Sequence, residues 1–302
     1  MKKTLLSISS ILLLSLFIFA ACDDDDDNPV VPTEPDIVDI ASGNDNFTTL
    51  TDALVQTGLT EALSGPGPFT VFAPTDNAFA PVSDVVASLS EEQLSDVLQY
   101  HVLSAEIAST DLQPEQTVES LNGDDLFITV EDGMVSINGG AAVADADIMA
   151  SNGIIHAIDG VLLPDEYGTI VDNAQKRYFL TALVNAVVEA GLADTLADPD
   201  AEFTVFAPTN EAFEAIADVA DGLSQQELAD ILLYHVVEGN ITAGDLEPTQ
   251  TLPTVNGAEI TITAGDEGVF INGDAAEVTR VDAVSSNGVF HVIDGVLLPP
   301  EE

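Results

Sequence analysis

Phe69-Thr70-Val71-Phe72-Ala73-Pro74-Thr75 occurs a second time, letter for letter, as Phe203-Thr204-Val205-Phe206-Ala207-Pro208-Thr209. Other signatures repeat around it in the same order. Ile37-Val38-Asp39 returns as Ile170-Val171-Asp172, and Tyr100-His101-Val102 as Tyr234-His235-Val236. Ser151-Asn152-Gly153, with His156 and the run Ile158 to Pro164, returns as Ser286-Asn287-Gly288, with His291 and Ile293 to Pro299. The offset between copies is 133 at Ile37/Ile170, 134 at Phe69/Phe203 and 135 at Ser151/Ser286, so two net single-residue insertions separate them. A unit this long is a duplicated domain, since solenoid repeats run to roughly 20–50 residues.

Within each copy the apolar spacing changes from helical to strand-like. Phe47, Leu50 and Leu54, matched by Leu180, Leu183 and Val187, recur at intervals of three and four, and Gly58 and Gly191 supply helix stops. Phe-Thr-Val-Phe then reads as a strand halted by Ala-Pro. Ala-Pro-Thr followed by Asp76 or Asn210 reads as a turn or helix cap. Ser90-x-x-Gln93 and Ser224-x-x-Glu227 announce a second helix through capping boxes. Its apolar face carries Leu94, Val97, Leu98 and His101, or Leu228, Ile231, Leu232 and His235.

The rest of each copy is strand-like. Leu126–Val130 and Met134–Ile137 flank the hairpin signal Asp132-Gly133, and Ile260–Thr263 and Val269–Ile271 flank a longer turn ending at Gly268. The closing Ile-Asp-Gly-Val-Leu-Leu-Pro reads as a final buried strand. Helices followed by strands in one unit predict an α+β fold. The short link from Pro164 to Ile170 predicts that the two domains touch.

The chain has 53 acidic residues against five basic ones. Lys2 and Lys3 precede an apolar run from Leu5 to Phe19, then Ala20, Ala21 and Cys22, the sole cysteine. This reads as a signal peptide over 1–21, too short for a span of ~20 residues in the membrane. Its end resembles a lipobox, with Cys22 as the lipidated mature N-terminus; cleavage near Ala21 releasing a soluble protein is the alternative. Phe19 stands where a lipobox usually has Leu. Loss of Lys2 and Lys3 takes the formal charge from -48 to -50. Such a surface repels nucleic acid and anionic lipid. Its bland meaning is adaptation to high salt, and its sharper one association through calcium. No Asp-x-Asp-x-Asp-Gly loop marks a discrete calcium site. Residues 22–35, with Asp23 to Asp27 and three prolines, read as an extended acidic tether, either a mere spacer or a surface-export signal.

Thr-Val-Phe-Ala-Pro-Thr-x-x-Ala-Phe, then Tyr-His, then His-x-Ile-Asp-Gly-Val-Leu-Leu-Pro closely resembles the fasciclin domain, in two tandem copies from about Ile37 to Pro299. The domains are assigned as 36–166 and 167–302. The resemblance implies, for each, a wedge-shaped β-sandwich with flanking helices. It further implies a surface-anchored or secreted adhesion protein that binds a protein or glycan partner. The alternative is a structural envelope protein with an acidic, salt-adapted, divalent-cation-bridging surface. A lipid anchor would hold it in the cell envelope, at the outer membrane or cell surface.

All four histidines, His101, His156, His235 and His291, repeat between copies. With Asp159 and Asp294 they invite a metal or acid–base reading. Their places on an apolar helix face and within a strand-like motif favour satisfied core histidines. The resemblance links Tyr100-His101 and Tyr234-His235 to adhesion in animal members. There is no Gly-x-Ser-x-Gly elbow, His-Glu-x-x-His helix or phosphate loop. Ser151, His156 and Asp159 crowd one short segment instead of converging as a triad would. A binding protein, with no enzyme activity, metal or cofactor, is therefore expected.

Overall fold

A computed structural model describes residues 34–300 except 221 and 267. The signal peptide, Cys22 and nearly all of the acidic tether lie outside the described residues. Residues from 34 onward form one compact unit in which the same architecture occurs twice. In the first copy the helices are α1 (Ile37–Ser42), α2 (Thr48–Thr57), α3 (Thr60–Leu63), α4 (Asp76–Phe79), α5 (Ser83–Ser88) and α6 (Glu91–Tyr100). Its strands are β1 (Phe69–Pro74), β2 (Val102–Leu103), β3 (Glu115–Glu119), β4 (Asp125–Glu131), β5 (Met134–Ile137), β6 (Ala141–Ala150) and β7 (Gly153–Ile158).

The second copy has α7 (Ile170–Lys176), α8 (Thr181–Glu189), α9 (Ala193–Leu196), α10 (Asn210–Glu214), α11 (Ala217–Ala220) and α12 (Gln225–Tyr234). Its strands are β8 (Phe203–Pro208), β9 (Val236–Glu238), β10 (Thr249–Pro253), β11 (Glu259–Gly265), β12 (Gly268–Ile271), β13 (Ala276–Ser285) and β14 (Gly288–Ile293). The sheet orders β2-β1-β7-β6-β5-β4-β3 and β10-β11-β12-β13-β14-β8-β9 are the same path read in opposite directions. Each is antiparallel except for one parallel pair, β1 with β7 and β8 with β14.

The helices begin and end where local chemistry dictates. Ser90 and Ser224 cap α6 and α12 in complete capping boxes. Gly58 ends α2 at φ 71°, and Gly191 follows α8 at φ 73°. Asp132 and Gly133 take φ 51° and 80°, the left-handed pair that a tight hairpin between β4 and β5 requires. Asp76 and Asn210 sit at the first turns of α4 and α10, yet their side chains accept from Thr49 and Ala182 N–H at 2.7 and 2.8 Å. Each thus binds the start of a neighbouring helix.

The first strand of each copy ends at the proline of Ala-Pro, as expected, with Ala73 and Pro74 still in register against Ala157 and Ile158. Proline is tolerated there because β2 pairs only with Thr70 and Val71, which leaves Pro74 at an edge. One expectation is corrected. The closing motif is not the final strand, because β7 and β14 end at Ile158 and Ile293. Asp159 and Asp294 turn the chain out of the sheet, their carboxylates accepting from the Ala142 and Glu277 N–H at 2.7 Å each.

β6 and β13 make the sandwich. Each carries two register shifts with an aspartate, Asp147 or Asp282, at positive φ, and such bulges bend a strand. The bend folds each sheet over itself. Phe72 and Ile158 then meet Leu126, Ile128 and Ile137 in one core, while Val71, Ala73, Ile155 and Ala157 pack under the helices in another. Both faces of β1 are therefore buried. The parallel pair approaches so closely that a Cβ on Gly153 would lie 2.0 Å from the Phe69 carbonyl oxygen. Only glycine fits there.

Candidate functional site

The residues shared by both copies converge on hydrogen bonds to the backbone. His101 ends α6 and donates from Nδ1 to the Val97 carbonyl (2.7 Å), while its Nε2 accepts from the Leu162 N–H (2.9 Å). His235 repeats this with Ile231 (2.8 Å) and Leu297 (2.8 Å). Acceptance by Nε2 fixes the neutral tautomer with hydrogen on Nδ1. Burial lowers both pKa values to about 4, against a raising contribution from the hydrogen bonds to Val97 and Ile231.

His156 and His291 use the opposite tautomer. Nδ1 of each accepts from an aspartate N–H, Asp147 or Asp282, at 3.2 Å, and Nε2 donates to the Ile107 or Ile241 carbonyl at 2.9 Å. The rings stack on Phe72 and Phe206 with centroids 5.6 Å apart. Each of these histidines therefore pins a β-bulge to the loop across from it. Burial lowers the His291 pKa, and the Ile241 bond and the Asp282 charge oppose it.

Tyr100 Oη donates to the Asp125 carbonyl (3.0 Å) and accepts from Asn138 Nδ2 (2.9 Å), an arrangement repeated at Tyr234 with Glu259 and Asn272. Sequence reasoning passed over Asn152 and Asn287, which do as much. Asn287 Oδ1 accepts from the Ile170 N–H (2.8 Å), and its Nδ2 donates to the Leu196 and Asp198 carbonyls (2.9 and 3.0 Å). Asn152 makes the corresponding bonds to Ile37, Leu63 and Gly65. Their exact repetition beside Gly153 and Gly288 was the available signal. The structure thus distributes the shared residues through the two cores instead of gathering them in a cleft. Among the described residues no group of three or more His, Cys, Asp or Glu side chains is arranged to hold a metal ion.

Open space lies elsewhere. A cleft of about 620 Å³ separates the domains, with Asp96 and Asp124 on one wall, Asp165 and Glu166 from the link, and Arg280 and Asp282 on the other wall. Burial raises the Asp124 pKa, and the carboxylates of Asp165, Asp96 and Glu166 add to it, against a lowering by the Asn122 hydrogen bond. Apolar voids of about 10 and 30 Å³ beside His101 and His235 could hold at most a single water-sized molecule. The outer faces carry isolated apolar side chains, Met134 and Met149 among the most exposed.

The Fasciclin domain model matches residues 45–164 and again 179–299. The chain belongs to the fasciclin domain family. Human periostin is 29% identical over 269 residues, which is 88% of this chain and 31% of periostin, so the chain spans about a third of that relative. Protein sll1483 of Synechocystis is 46% identical over 133 residues, 42% of this chain and 73% of its own length. A solved FAS1 domain pair from the insect cell adhesion molecule fasciclin I has the same fold. Its TM-score is 0.60 at 20% identity, covering 83% of this chain and 96% of that one. The α+β fold is thus that of two tandem fasciclin domains.

Proposed function

We propose that this fasciclin pair is a binding protein of the cell surface that holds a protein partner through the outward faces where its two domains differ. One observation carries the reading: Thr70 and Thr204, Tyr100 and Tyr234, and all four histidines, polar side chains that both copies keep, are buried and bonded internally. Recognition is left to residues that the copies do not share. Membership of a family that includes an insect cell adhesion molecule supports the adhesive direction. A glycan is the other partner class to test, because its hydroxyls suit a polar surface rich in carboxylates.

Attachment through lipidated Cys22 completes the proposal, with 22–35 as the tether to an envelope membrane; secretion without the anchor is the competing outcome. Immobilised chain spanning 22–302 should bind cells or envelope extract, and cells lacking 36–302 should lose adhesion. Unchanged adhesion after that deletion refutes the role. Radiolabelled fatty acid should enter the wild type and not Cys22→Ser.

A second reading has its own observation. Residues 34–302 hold 48 of the 53 acids and three of the five bases, and those three bases all lie where the domains meet, so the remaining exterior is anionic. Such a surface suits an envelope component that divalent cations bridge. Titration calorimetry with calcium, read alongside adhesion, separates the two functions.

A further inference from the structure

The copies differ where they touch. Lys176-Arg177-Tyr178-Phe179 of the second domain occupies the positions of Gly43-Asn44-Asp45-Asn46 in the first. Arg280 stands in the place of Asp145, and Phe127 of the first domain in the place of Thr261 of the second. Every one of these replacements faces the seam. The Arg177 guanidinium lies 4.7 Å from the ring centroid of Phe127, across the seam, and 4.7 Å from that of Phe290. It is 7% exposed, donates to the Asn173 carbonyl at 2.6 Å and pairs with Asp165 of the link.

Around this sandwich the contacts are mutual. Tyr178 and Phe179 meet Phe127 edge-on, with centroids 6.4 and 5.8 Å away, and Phe127 is 1% exposed. Arg280 reaches back to Asp125 at 3.3 Å and lies 5.1 Å over Phe179. Lys176 donates to the Leu163 carbonyl (2.8 Å) and to Asp165 (3.0 Å). Each cation in residues 34–302 is thus spent on joining two polyanions that would otherwise repel.

We propose that Arg177, clasped between Phe127 and Phe290, is an interdomain latch that makes the two fasciclin domains one rigid unit and allows that junction to form only once. The latch is self-terminating because its halves are absent from the free ends. The first domain offers Gly43, Asn44, Asp45, Asn46 and Asp145 where the second has its cations and aromatics. The second offers Thr261 where the first has Phe127. A head-to-tail contact that could repeat would build filaments; this one closes at two.

The test uses the chain from residue 22 onward and installs in each half of the latch the residue of the other copy, Phe127→Thr and Arg177→Asn. Wild type should unfold in one calorimetric transition, with van't Hoff and calorimetric enthalpies equal, and sediment as a monomer at all concentrations. Either variant should split the transition in two, and spin labels on the two domains should report a broadened distance distribution. Two independent transitions in wild type, an unbroadened single transition in the variants, or concentration-dependent chain growth would each overturn it. If Arg177→Asn does not fold, Phe127→Thr decides alone, since threonine is the native residue at that place in the other domain.

Discussion

The Leu162 N–H donates to Nε2 of His101 at 2.9 Å, joining residues 61 positions apart. That bond holds the segment leaving β7 against the end of α6, and it exists only while the imidazole is neutral. His235 and Leu297 repeat it. In the unfolded chain both histidines protonate near pH 6.5, whereas burial holds the folded pKa values at about 4. Protons therefore favour the unfolded chain between those values. The contribution is complete above about pH 6.5 and is lost as the pH falls toward 4, by roughly 3 kcal/mol per histidine. Denaturant midpoints followed from pH 7 to 4.5 should fall more steeply for wild type than for a His101→Gln/His235→Gln variant. Equal slopes would remove the histidines from the account.

Asn287 is 1% exposed and satisfies three backbone groups from two segments, the start of α7 and the end of α9. Asn287→Ala leaves the Ile170 N–H and two carbonyls without partners, at a cost of about 3 kcal/mol. Urea unfolding of the full chain measures it. Asn152→Ala should cost less, because Asn152 is only partly buried and water can replace some of its bonds.

Tyr100→Phe removes one hydroxyl that serves both Asp125 and Asn138, and should destabilise by about 1–2 kcal/mol. Because that side chain is fully buried, adhesion normalised to folded protein should not change. A drop in partner binding at unchanged stability would restore Tyr-His as a recognition motif.

Salt should stabilise the folded chain. Raising ionic strength from 0.1 to 1 M shortens the screening length from about 10 to 3 Å and weakens repulsion among the 48 carboxylates of residues 34–302. The pairs of Asp165 with Arg177 and Lys176 are largely buried and lose less. The melting temperature should therefore rise with sodium chloride; a fall would mean that exposed ion pairs such as Arg280–Asp125 dominate.

Local chemistry was legible in the sequence wherever neighbours in the chain decide the outcome. The capping boxes, the glycine stops and the Asp132-Gly133 turn need only a few consecutive residues. β6 was not legible. Ala-Ala-Val-Ala-Asp-Ala-Asp-Ile-Met-Ala lacks clean alternation because a bulge at Asp147 shifts the facing residues midway, and β13 fails for the same reason at Asp282. The closing motif misled because its apolar run suggests a strand, whereas burial there comes from packing after the chain has left the sheet. The fold's internal bonds were foreshadowed by what the copies share. Its seam was written in what they do not, at Lys176 to Phe179, a contrast that gains meaning only once Phe127 is placed opposite.

Spending every cation on the seam also decides what the protein's environment can do to it. A trypsin-like protease has three cleavage residues in 34–302, of which Lys176 and Arg177 are held in the junction and Arg280 lies within β13. Lys176 is the one side-chain primary amine in the same stretch, and it is already bonded to Leu163 and Asp165. The folded pair therefore offers almost nothing to digestion after basic residues or to amine-directed cross-linking.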